Sequence, residues 1–143
     1  MTTAEITRKN IPADVWLFIA VSIYFIMNGA QLWETAIMIP AWTQAPPASL
    51  IFFQEPYGLD FKMFWIVVHS IHDLTLIIAL ILNWKIPRRR RWMIPLVILH
   101  IGVRVWTLLY FAPVIIEFQQ IPYSDTVDPA LVEKAAQWRQ LNY

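Results

Sequence analysis

No cysteine occurs among the 143 residues of this chain. Disulfides, thiolate nucleophiles, iron–sulfur clusters and Cys-ligated zinc are therefore excluded. Charge is scarce as well: 15% of residues are Asp, Glu, Lys or Arg, against about 25% in an ordinary soluble domain. The formal net charge is only +1, which argues against a dedicated nucleic-acid binder. Internal repeats and low-complexity segments are lacking. The N-terminal apolar stretch is too long for a cleaved leader and no small-residue cleavage site follows it, so no signal peptide is expected. Against these shortages stands an excess: 58% of the residues are hydrophobic, including 8 tryptophans. They come in blocks, and the length fits one domain, so the fold expected is all-α, an integral membrane helix bundle.

Three blocks are long enough to span a bilayer, and a fourth, shorter helix closes the chain. The boundaries predicted are about 12–39, 61–84, 92–115 and 128–143, within a single transmembrane domain covering residues 1–143. Met1 to Ile11 is polar and expected to be loosely ordered. Asn10 would cap the first helix, with Pro12 in its first turn and Asp14 complementing the helix dipole. Pro40, Pro46 and Pro47 would end it. The aromatic loop 41–61 places Ile51, Phe52, Phe53 and Tyr57 at the membrane interface, and Asp60 caps the second helix. Lys85 to Arg91 reads as a short basic turn. Pro95 falls in the first turn of the third helix and Pro113 near its end. Asp128-Pro129 opens the C-terminal helix, with Leu131, Ala135, Trp138 and Asn142 on one side. Trp16, Trp42, Trp84 and Trp92 read as interfacial anchors, and Gly29 and Gly102 as sites of close helix approach.

Five basic residues, Lys85 and Arg88 to Arg91, mark the cytoplasmic side, and Arg8 and Lys9 agree because two crossings separate them from that loop. A multi-pass protein of the cell membrane is expected, with the N-terminus and the 85–91 loop cytoplasmic. The simplest role of the arginines is topology and contact with anionic lipid.

Seven polar or charged residues interrupt the apolar blocks: Gln31, Glu34, His69, His72, Asp73, His100 and Arg104. An ionisable group in hydrocarbon costs about 2.5 kcal/mol or more, so each needs a partner, a wet cavity or a ligand. His69, His72 and Asp73 are related by i, i+3 and i+4 and share a helix stripe, as do His100 and Arg104. Counting helix rise from the outer ends puts Asn28, Asp73 and Arg104 about 15–16 Å deep, with Gln31, His69, His72 and Thr107 above them. His100 falls deeper, at about 22 Å, apart from the other histidines and ill-placed to share a haem with them.

Three readings stay open. In one, the set is structural: Asp73 pairs with Arg104 and the rest are interhelical glue, in a structural or accessory membrane subunit. In another, His69 and His72, with Asp73, Glu34 or His100, bind a divalent metal. In the third, the site handles a small lipophilic molecule. His69, His72 and Glu34 would do acid–base chemistry, and Gln31, Asp73, Arg104, Thr107, Trp65 and Trp106 would bind the ligand. This third reading, with oxidoreductase-like chemistry among its options, is the function expected. The partners expected are the lipid bilayer, such a molecule, and a second copy or another membrane subunit.

The tail VDPALVEKAAQWRQLNY, Val127 to Tyr143, with Trp138-Arg139 followed by Leu141-Asn142, resembles the anthrone-oxygenase-like family of small four-helix membrane proteins. The order of three apolar helices before it fits the same pattern. The resemblance implies a compact four-helix bundle, its fourth membrane helix supplied beyond Tyr143 or by another chain. The family's namesakes are implicated in oxidising anthrones to anthraquinones. No catalytic residue carries over to this chain on these motifs.

Overall fold

The computed structural model describes residues 3–54, 56, 58–59 and 61–142, and the side chains of these from residue 10 onward. Tyr57, expected at the interface, and Asp60, expected as a cap, lie outside the described residues, as do the side chains of Arg8 and Lys9. Among the described residues every regular element is helical. In chain order these are α1 (Thr3–Trp33), a π turn (Glu34–Met38), α2 (Ile39–Thr43), a 3-10 helix (Ala48–Phe53), α3 (Phe61–Asn83), α4 (Pro87–Trp106), a second π turn (Thr107–Phe111), α5 (Ala112–Gln120) and α6 (Pro129–Asn142). Three continuous helical stretches are long and apolar enough to cross a membrane: Asn10–Thr43, Phe61–Asn83 and Pro87–Gln120. The expected all-α class, with three such helices and a further C-terminal one, is therefore observed.

Proline acts differently from the sequence expectation. Pro40 does not end its helix, and the helix that holds Pro113 runs on to Gln120; each proline is followed by regular helix. A proline cannot donate to the carbonyl four residues back, and its ring crowds that oxygen. Those carbonyls belong to Ala36 and Leu109, and both lie inside the π turns. Widening one turn accommodates the ring and lets the helix go on. The adjacent Pro46 and Pro47 do fall in a non-helical break after α2.

At the N-terminus, α1 includes Thr3 to Ile11 upstream of Pro12, so that segment is helical instead of loose. Ala4, Glu5, Arg8 and Lys9 are good helix formers, and one interior proline does not outweigh them. The basic segment also differs. Only Trp84–Ile86 form the turn, and Pro87 opens α4 as a first-turn proline, so Arg88 to Arg91 are helical. Pro95 is consequently interior to α4.

The described residues divide into two compact units. The first comprises Met1–Gly29 and Lys62–Ile101. Its small core is Ala20, Ala79 and Met93, with Trp16, Leu17 and Leu80 against it. Asn83 is fully buried beside this core and joins three helices. Its Nδ2 donates to the carbonyls of Ala13 at 3.1 Å and Ala79 at 2.8 Å, and its Oδ1 accepts from Arg89 at 2.9 Å. Arg89 also pairs with Asp14 at 2.6 Å. Asp14 is thus an ion-pair partner inside α1, not a helix-start residue, because the helix begins well upstream of it.

The second unit comprises Ala30–Phe61 and Gly102–Tyr143. Ile39, Trp42, Leu50, Phe118, Ala135 and Trp138 form its buried core. Trp42 is only 1% exposed, so it is a core residue and not an interfacial anchor. Its ring lies 5.1 Å from Trp138 and 5.2 Å from Phe118. Helix α6 is capped by Asp128, whose Oδ1 accepts from the Ala130 amide at 2.8 Å. Its apolar side, Leu131, Ala135 and Trp138, packs into this core as the spacing predicts. The Trp138 indole donates to the Phe111 carbonyl in the second π turn at 3.2 Å. Ser49 donates to the Trp42 carbonyl at 2.6 Å, and Asp128 N to that of Pro46 at 3.0 Å, which closes the loop over the core.

Gly29 and Gly102 are not points of close approach: a Cβ at either would meet nothing within 4 Å.

Candidate functional site

Helix α3 leads through a three-residue turn into α4, and the two fold back so that Asp73 meets His100. His100 Nε2 lies 2.6 Å from Asp73 Oδ1. A carboxylate only accepts, so the proton of this bond sits on Nε2, and the charged acceptor makes the bond short and strong. His72 approaches the same oxygen, with Nδ1 at 3.7 Å. The His72 and His100 rings meet edge to face, 4.8 Å between centroids. One ligand-type atom from each of His72, Asp73 and His100 lies within 4.8 Å of the others.

Burial in the triad is uneven. The His72 side chain is 4% exposed, that of His100 17% and that of Asp73 42%. The carboxylate therefore has an open edge, while His72 is buried and His100 partly buried. Tyr24 of α1 covers His72, at 5.7 Å between ring centroids. The Thr75 hydroxyl donates to the His72 carbonyl at 2.9 Å.

His69, one turn before His72, faces other partners. Its Nδ1 is 3.1 Å from the sulfur of Met27, and its ring stacks on Trp65 at 4.9 Å. It stands outside the three-residue cluster found among the described residues. Asn28, expected in the Asp73 layer, is exposed and donates to the Tyr24 carbonyl of its own helix at 2.7 Å.

The remaining residues read from sequence belong to the second unit. Glu34 is buried in the first π turn. Gln31 donates to Thr35 at 3.3 Å. Thr107 donates to the Val103 carbonyl at 2.9 Å, so its hydroxyl serves its own helix. Trp106 stacks on Tyr110 at 5.5 Å and is half exposed. Arg104 is partly buried.

Two relationships escaped the sequence reading. The first is the bond between His100 and Asp73, since His100 was expected to be deeper and separate. Counting from the outer ends misplaces it because the helix runs on to Gln120 and a π turn intervenes. Counting from the tight turn instead puts Asp73 about 15 Å and His100 about 20 Å along their helices. The turn was legible, and it is the shorter ruler. The second is Asn83, whose role as a three-helix joint has no local signal.

Among the described residues, three membrane-length apolar helices and a His–Asp–His cluster on two of them define the class of this protein. Comparison with protein-family models, with curated proteins and with solved structures finds no match to the chain.

Proposed function

We propose that this is an integral membrane protein whose His72–Asp73–His100 cluster is a polar intramembrane site for a small lipophilic molecule. The observation that carries this reading is the 2.6 Å bond between Asp73 and His100 beside an enclosed His72, within apolar helices. Intramembrane ionisable groups are expensive to keep and mark functional sites. The apolar surface supports the bilayer setting. Phe18 is 72% exposed and Leu109 75%, in the middle of long helices, where only lipid is a suitable solvent.

In this reading Asp73 orients the His100 imidazole, and a histidine moves a proton to or from the ligand. The open edge of the carboxylate gives a molecule dissolved in the bilayer access to the site. The likeness of the tail to anthrone-oxygenase-like proteins favours an aromatic, oxidisable molecule. The basic end, Lys85 to Arg91, faces the cytoplasm under the positive-inside rule.

A lipophilic molecule should co-purify with the protein extracted in mild detergent, and Asp73→Asn should release it. Native mass spectrometry with lipid extraction reads both. An empty wild-type protein, or a ligand retained unchanged by the variant, defeats the proposal. The lack of cysteine makes sidedness testable: with Lys85→Cys and Ser124→Cys, a membrane-impermeant maleimide on intact cells should label only the second.

The same bond also supports a structural reading, because it ties α3 to α4. Interhelical polar contacts in membranes average about 0.6 kcal/mol and reach about 2. A ligand-free protein that loses helix packing on Asp73→Asn would favour that reading.

A further inference from the structure

We infer that His72, Asp73 and His100 form a binding site for a divalent first-row transition metal. The inference deepens the proposed function and rests on it, since the ion would sit where the lipophilic molecule is handled.

Three features point to a metal. The first is donor chemistry. Two imidazoles and one carboxylate are the donors that zinc, iron and manganese share, and the set leaves coordination positions open. The second is convergence. His72 and Asp73 are adjacent, so their side chains leave α3 about 100° apart. Yet Nδ1 and Oδ1 come within 3.7 Å of each other, on the side where His100 arrives from α4. The third is spacing. A tetrahedral ion with bonds of about 2.0–2.2 Å holds its ligand atoms about 3.3–3.6 Å apart. The cluster has one separation of 2.6 Å, one of 3.7 Å, and none above 4.8 Å.

The charge count names a ligand class. One carboxylate against a divalent cation leaves one positive charge in a medium that penalises it. A singly charged oxygen donor on an open position would balance it. The class favoured is therefore a lipophilic molecule with an ionisable oxygen, a phenol or an enol.

The test uses the full chain in detergent, stripped with a chelator and then given Zn2+, Fe2+, Mn2+ or Co2+ separately. Elemental analysis after desalting should find about one ion per chain for at least one metal. Asp73→Asn and His100→Ala should reduce it to background, while Ser70→Ala should not. No stoichiometric uptake overturns the inference, as does uptake indifferent to Asp73 and His100 or dependent on His69 in place of His100. Should the variants fail to fold, pulsed electron paramagnetic resonance on Cu2+-loaded wild type decides. Two coupled imidazole nitrogens are expected, and fewer than two overturn the site. Adding 4-octylphenol to the Co2+-loaded protein separates the two proposals. A shifted visible spectrum supports both. A metal-loaded protein blind to the phenol upholds the metal site and fails the lipophilic reading. A lipophile retained by a protein that takes up no metal does the reverse.

Discussion

The imidazole of His100 and the carboxylate of Asp73 lie 27 positions apart in sequence and 2.6 Å apart in space. Each sits on a helix that is apolar on either side of it. Their meeting turns two isolated liabilities into one satisfied pair, and His72 at 3.7 Å turns the pair into a cluster. What that bond is worth separates a site from glue.

A double-mutant cycle measures it. Asp73→Asn, His100→Gln and the double variant should give a coupling of about 0.6–2 kcal/mol if the bond only holds helices together. A functional pair should show a small coupling in stability and a large one in ligand retention. Thermal unfolding in detergent and native mass spectrometry read the two quantities on the same samples.

Asn83→Ala should destabilise the protein by about 1–3 kcal/mol, because it removes a buried group that donates twice and accepts once. Arg89→Ala should cost less, since Arg89 is partly exposed and Asp14 keeps access to water. The two changes share one network, so the double variant should fall short of their sum. Additive losses would show that Asn83 and Arg89 act independently.

Trp138 performs two tasks that substitutions can divide. Trp138→Ala opens the core around Trp42 and Phe118 and should cost about 3–5 kcal/mol. Trp138→Phe keeps most of the apolar volume but loses the donor to the Phe111 carbonyl, and should cost clearly less. Equal losses would mean that the hydrogen bond in the π turn, not packing, dominates.

Tyr123 lies after the last membrane-length helix, and its hydroxyl donates to Asp125. That hydrogen bond, and then the carboxylate charge, raise the phenol above its ordinary value of 10.0. A raised acid titrates late: the contact is intact below the ordinary value and is lost as pH climbs through the raised one. In a spectrophotometric titration, subtracting Tyr123→Phe from wild type should leave one tyrosinate component later than a free tyrosine. A component at or before the ordinary value contradicts the contact.

Several parts of this molecule were legible because they depend on local rules. Asp128-Pro129 marks the start of α6, and the spacing of Leu131, Ala135 and Trp138 marks its buried side. Proline was the misleading signal. Pro40 looks like a stop, but a helix in an apolar setting gains by keeping its backbone bonded, and a single wide turn preserves that. Trp42 misled as well. Tryptophan near a helix end fits the interface and the core equally, and only Phe118 and Trp138 from distant segments decide between them.

The chain by itself determined its class: long apolar runs with few charges favour helices that bond their own backbone and turn apolar side chains outward. It also determined that His69, His72, Asp73 and His100 had to be accounted for. Only the tertiary structure decided which of them meet. Helical spacing places residues on one face of one helix, but the register between α3 and α4 depends on the turn that joins them. That register set His100 beside Asp73, and packing against α1 brought His69 to Met27.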